Sequence, residues 1–254
     1  MTGPWGIYVF CAIPEEVPQE RLGSVKIDSE ERPLYTIHYR DIAMVAAKVP
    51  LMIYPPKKEY ILAHEKVVSD TMKQFTVIPM SFGNVVQTEA DVRILLKKLY
   101  PQFTAIFPRI AHKFEVGLKV IGRKEWLENE IKMDSEIAQA AKKLAGKSSA
   151  AAYYDRIHLG ELAQQFIAAK RQEFTEQVYQ PLAQLAASAK LNDTVSERLL
   201  LNAAFLIDQA DELAFDEQVN ALYEKWKDYA EFKYTGPWPP YNFIHIKLQV
   251  EDSR

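Results

Sequence analysis

Residues 235–243 read Thr-Gly-Pro-Trp-Pro-Pro-Tyr-Asn-Phe, and this segment constrains the architecture more than any other. Each of its three prolines fixes φ near about −65° and removes an N–H donor, which excludes the run from a helix interior and from a central strand. It is expected to run extended or in a polyproline-like turn, holding Trp238, Tyr241 and Phe243 with little entropy left to lose. Such a segment has two uses. Its rings can pack back on a domain as a rigid clasp, or face a partner as a preorganised aromatic surface.

The 254 residues ahead of and around this segment exceed one ordinary domain, so about two are expected. The first is assigned to residues 1–111. Gly6–Ile13 is apolar and rich in aromatic and β-branched residues between Pro4 and Pro14, as in a strand. Ser24–Ile27 and Leu34–Tyr39 are further strand candidates. Ile42–Val49 fits a buried strand or a short helix, and the prolines after it favour a strand. Tyr60, His64, Val67, Thr71 and Phe75 recur at helical spacing over 57–75. Val77–Met80 is a short strand and Ser81–Asn84 a turn. Thr88 can cap a second helix with Asp91 as its box partner, and Pro101 is expected to stop or kink it. A third apolar set, Phe103 to Ile110, leads to the boundary.

The second domain is assigned to residues 112–254. Phe114–Ile121 alternates like a strand, helices are expected over 125–145 and 149–187, and Pro181 should bend or split the latter. A weakly patterned strand is placed at 191–197. Leu199–Asp208 is a near-continuous apolar run of central-strand character, Phe215, Val219, Leu222, Trp226 and Tyr229 mark a helix, and Tyr229–Tyr234 a last strand. The order βαββαβ is that of a ferredoxin-like sandwich with an enlarged first helical crossover, ending in a Pro/aromatic-rich tail. The whole is α+β.

A search for chemistry finds little. With nine glycines in the chain there is no phosphate-cradling loop, no Walker motif and no nucleophile elbow. His64-Glu65 opens like a zincin helix, but Val68 stands where the second ligand belongs, and the five histidines are scattered. No catalytic, cofactor-binding or metal-ligating residue is therefore assigned. His64 has two readings: a core-edge histidine satisfied by a neighbour, or a polar anchor at an interface. Cys11, the lone cysteine, reads as a small buried hydrophobe, and the carboxylates at 15–16 and 28–31 as solvated loop groups. A formal net charge of −3 argues against nucleic acid and against a halophile's acidic surface. One cysteine, no targeting segment and no apolar run near the ~20 residues of a membrane span lead us to expect a soluble, cytoplasmic protein.

Three blocks together carry a resemblance. The segment TGPWPPYNF, preceded by the run LNAAFLID and an amphipathic helix, resembles the C-terminal signature of the gas-vesicle GvpF/GvpL family. His64-Glu65 with Val67-Val68 is similar to that family's helix motif, and Val77-Ile78-Pro79-Met80-Ser81-Phe82-Gly83 to its Pro-x-x-Phe-Gly turn. The opening strand Ile7–Phe10 and the strand holding Glu115-Val116 fit as well. Ser81 departs from the pattern, since relatives commonly carry a basic residue there. The resemblance implies a non-catalytic accessory protein, acting in assembly or structure of the gas vesicle wall. Its partners would be the vesicle shell subunit and other accessory proteins, with Trp238, Tyr241, Phe243, His64 and Phe82 as the expected contact residues. Near-neutral charge points to a non-halophilic host, most simply a cyanobacterium. The competing reading is a ferredoxin-like ligand-binding or regulatory module.

Overall fold

The computed structural model describes residues 4–14, 22–144 and 152–247. These divide into two compact units: one runs to Phe114 and takes up the chain again from Trp238, the other is Glu115–Pro237. The sequence alone assigns the whole tail to the second domain. Residues 238–247 instead group with the first unit, where Ile244 and Ile246 pack against its core.

The first unit is built on six strands: β1 (Trp5–Ile13), β2 (Ser24–Ile27), β3 (Glu30–Tyr39), β4 (Ile42–Pro50), β5 (Ile78–Pro79) and β6 (Val85–Val86). The sheet runs β2-β3-β4-β1-β5, with β6 also on β1, and every pairing in it is antiparallel. Helix α1 (Lys58–Met72) packs on one face and α2 (Glu89–Ile110) on the other. A sheet covered on both sides has no solvent face, which is why β1 and β4 read as unbroken apolar runs. Their residues still alternate between the two cores. In β4, Ala43, Val45, Ala47 and Val49 face α1, while Ile42, Met44 and Ala46 face α2.

Strand β1 breaks that alternation once. The register slips between Val9 and Cys11, leaving Phe10 without an opposite residue on β4. In consequence Phe10 and Cys11 both face α1, with Val9 and Ala12 on the other side. The bulge frees the Phe10 carbonyl to accept from the Met80 N–H at 2.9 Å, which pins β5 alongside.

Two local expectations change. Glu30 and Glu31 belong to β3, because Asp28 and Ser29, both at positive φ, make a two-residue hairpin turn that starts the strand early. Helix α2 passes through Pro101 and Pro108 without ending. Both prolines are on the solvent side, where the carbonyls they leave unpaired can be hydrated. Its start is as expected, with Thr88 and Asp91 forming a reciprocal capping box.

The second unit follows the order β7 (Lys113–Gly122), α3 (Lys124–Met133), α4 (Ser135–Leu144), α5 (Tyr153–Phe174), α6 (Gln180–Ala183), β8 (Ser188–Leu191), β9 (Leu199–Asp208), α7 (Glu212–Trp226) and β10 (Ala230–Trp238). Its four strands lie in the order β10-β7-β9-β8. The expected helix 125–145 is two, because the Asp134 carboxylate leaves the helical path and accepts from the N–H groups of Glu136 and Ile137 at 3.0 Å each. A π-helical turn, Thr175–Tyr179, joins α5 to α6 just ahead of Pro181, so the helical path continues through the proline by way of one widened turn. The strand expected at 191–197 lies earlier, as β8, antiparallel to β9. It is a short, exposed edge strand, and such strands carry little apolar pattern.

The core of this unit is aromatic. The Phe174 and Trp226 ring centroids are 4.6 Å apart, Trp126 lies 6.4 Å from Phe174, and Tyr229 lies 5.7 Å from Trp126. Over the Trp126 face, at 5.3 Å, sits the Lys170 ammonium, itself bridged to Glu130 at 2.9 Å and Glu173 at 3.2 Å.

Candidate functional site

Within the first unit the sequence blocks at residues 64, 79–83 and 241–247 converge. His64 lies on the buried face of α1, 4% exposed, where α1 meets β1. Its Nε2 is 3.1 Å from the Met80 carbonyl, which can only accept, so Nε2 carries the proton. Nδ1 is then an acceptor, and the Tyr8 hydroxyl donates to it at 3.1 Å. The Tyr8 oxygen in turn accepts from the Gly83 N–H at 2.8 Å. A one-directional chain of hydrogen bonds thus runs Gly83, Tyr8, His64, Met80, and both of its ends lie in the turn 80–83.

Rings enclose this chain. The Phe10, Tyr8 and Phe82 centroids are 5.6, 5.7 and 6.0 Å from the imidazole. Burial lowers the His64 pKa to about 4, the Met80 carbonyl opposing it, and burial raises that of Tyr8 to about 12. Both groups are neutral at physiological pH. With each ring nitrogen engaged, His64 can abstract a proton only by breaking the chain. Cys11 offers no nucleophile either, since full burial pushes its thiol up to about 12. Among the described residues no three His, Cys, Asp or Glu side chains converge as a metal site requires, and no helix is long and apolar enough to cross a membrane.

The turn forms one wall of a groove of about 450 Å³, lined by Pro79, Met80 and Ser81 and by tail residues Tyr241 and Ile244–Lys247. Ile244 and Ile246 pack against the core under α2. At the far end the Gln102 carboxamide of α2 donates to the Lys247 carbonyl at 2.9 Å and accepts from its N–H at 3.0 Å, as a neighbouring strand would. A larger cavity, about 620 Å³, opens on the other face between β2, β3 and α1, floored by Val25, Leu34, Ala63 and Val67.

The tail segment is divided by its own chemistry. Thr235, Gly236 and Pro237 continue β10, the edge strand of the second sheet, which is where a strand tolerates proline. Gly236 has φ of +138° and a Cβ there would stand 3.0 Å from the Glu115 carbonyl oxygen. Gly236→Ala is accordingly expected to lower the stability of the second unit by ~1–3 kcal/mol, read by urea unfolding. Beyond it Pro239 and Pro240 are buried, a 3₁₀ turn covers Tyr241–Phe243, Phe243 is half-buried, and Trp238 and Tyr241 are each 42% exposed.

The structure brings His64 and Phe82 together and sets Tyr241 beside the same turn. Tyr8 and Gln102 escape the sequence reading. A tyrosine inside an apolar strand needs a partner for its hydroxyl, and that was a usable signal for Tyr8. For Gln102, one amide on a helix rim, there was none.

Two sheets with several helices, and sequence blocks meeting in one hydrogen-bonded turn, define a mixed α/β protein. Residues 6–245 match the model of the family described as gas vesicle synthesis protein GvpL/GvpF, and the chain belongs to that family. It is similar to gas vesicle protein F of a Nostoc species, 26% identical over 95% of this chain and 98% of that protein, and to gas vesicle protein F of Microcystis aeruginosa, 22% identical over 95% and 98%. Its fold is similar to the crystal structure of GvpF from an Anabaena species, with a TM-score of 0.83, 24% identity and coverage of 96% of this chain and 99% of that one.

Proposed function

We propose that the protein is a gas vesicle accessory protein that works by binding, without chemistry, in the assembly or structure of the vesicle wall. Its partners in this reading are the shell subunit and other vesicle proteins, and its place is the cytoplasm, at the vesicle. The observation that carries it is the family match across residues 6–245, shared by relatives named gas vesicle proteins F and L. In the same reading the second unit is a ferredoxin-like domain with an enlarged helical crossover. The strand order β10-β7-β9-β8 supports this, being the order 4-1-3-2 within the unit.

The contact surface we propose is the exposed part of the tail, Trp238 and Tyr241, with Phe243 next in that segment and the half-buried Phe82 in the turn that Tyr241 borders. His64, at 4% exposure, contributes by holding the turn that carries Phe82, not by touching a partner. Aromatic side chains already fixed by neighbouring prolines bind at low entropic cost. The test is capture of purified shell subunit by the full-length protein. Wild type should retain it, and Trp238→Ala should lose at least about tenfold in affinity, as a central aromatic anchor does, while its unfolding midpoint moves by less than ~1 kcal/mol equivalent. Loss of folding in that variant would mark Trp238 as a clasp. No retention by wild type would remove the binding role.

A further inference from the structure

Residues 244–247 are held to the first unit in the way a bound peptide is held. They belong to no strand or helix, yet Ile244 and Ile246, two apart, pack on the core under α2, while His245 and Lys247 between and after them face solvent. That is the alternation of an extended segment lying on a surface. Its backbone is read by a side chain: the Gln102 carboxamide makes the donor and acceptor pair with Lys247 that an adjacent strand would otherwise supply. The seat itself is made of elements fixed without the tail. Helix α2 is anchored by Val92, Leu96, Leu99, Phe103 and Phe107, all buried, and the 79–81 wall by the Phe10 carbonyl and the His64 ring.

We propose that this seat is an exchangeable docking site for an extended peptide with aliphatic side chains at alternate positions, covered by the chain's own tail until a segment of the same chemistry replaces it. Backbone pairing supplies the general affinity and the two aliphatic positions the selectivity, the division of labour of strand-addition sites. The tail holds the seat because it is tethered. Its effective concentration is of the order of millimolar, so an incoming segment must compete with it. The mode is distinct from the exposed rings at Trp238 and Tyr241, and it does not depend on which protein is the natural partner.

The probe is the chain's own sequence, a synthetic peptide Tyr-Asn-Phe-Ile-His-Ile-Lys, tested on the full chain. In the double variant Ile244→Asp, Ile246→Asp the tail is expected to leave the seat. The peptide should then bind at least about tenfold more tightly than to wild type, where the tail competes. A peptide carrying the same two aspartates should bind neither. Equal binding to both proteins, or to neither, overturns the proposal. Should the double variant fail to fold, hydrogen exchange of the wild type decides. The Lys247 amide should exchange through a local opening at least about tenfold faster than the paired amides of β1 and β4, and faster still in Gln102→Ala. Exchange of the Lys247 amide at the rate of the β1–β4 core would show the tail to be an inseparable part of the fold.

Discussion

Lowering the pH from about 7 to about 4 is expected to remove roughly 3 kcal/mol of stability from the first unit through His64 alone. The sign follows from the proton count. In the folded chain the imidazole has a pKa of about 4, because burial disfavours its cation; unfolded, it returns to its ordinary value of 6.5. Between those values the unfolded state binds a proton that the folded state does not. Stability therefore falls as the pH drops through about 6.5 and levels off below about 4. Protonation also turns Nδ1 into a donor facing the Tyr8 hydroxyl, which would have to abandon its bond and rotate away. Urea unfolding across that range should show wild type losing roughly 3 kcal/mol more than His64→Gln, which cannot titrate. Parallel curves for the two proteins would mean that His64 binds its proton equally well folded and unfolded, as a hydrated imidazole does.

Phe174→Ala is expected to lower the stability of the second unit by ~3–5 kcal/mol. Phe174 is fully buried at the end of α5, packed at a tilt against Trp226 and edge-on to Trp126. Removing its ring would leave a void between two indoles that the sheet beneath cannot fill by collapsing. The Trp226 indole N–H is already buried without a hydrogen-bond partner among the described residues, so water entering that void would find one donor and otherwise apolar walls. The effect should be local. Hydrogen exchange should speed up in β7, β9 and α7 while β1 and β4 keep their protection, as expected of a chain that divides into two compact units. Equal loss of protection in both units would show that they unfold as one.

The parts of this fold that were legible in the sequence are those where one face is buried and the other wet. The stripe from Tyr60 to Thr71 gave α1, and Thr88 with Asp91 gave the start of α2. Where burial is two-sided the pattern disappears. No alternation marks Tyr-Val-Phe-Cys-Ala as two faces with a bulge at Phe10, because every residue is apolar whichever way it points. Asp134 was readable in hindsight, an acid followed by Ser-Glu at the head of a second helix. The π-helical turn before Pro181 was not, since proline signals a break without saying how the chain absorbs it.

The candidate site divides the same way. His64 and the tail aromatics stood out as residue types out of place in their surroundings, and Phe82 through the resemblance carried by its turn. What joins them is tertiary. Tyr8 reaches His64 across 56 positions and Gln102 reaches Lys247 across 145, distances over which a single sequence carries no pairing signal. That the tail would turn back to the first unit after Pro237 belongs to the same class of fact.

Deletion of the gene in a vesicle-forming host, scored for vesicles by microscopy and for shell subunit recovered in the buoyant fraction, tests the central claim most directly. An accessory protein needed in assembly or structure of the wall predicts that vesicles are absent or malformed and that the shell subunit fails to reach that fraction, with restoration by the intact gene. Vesicles of normal number, shape and shell content in the deletion strain would contradict it.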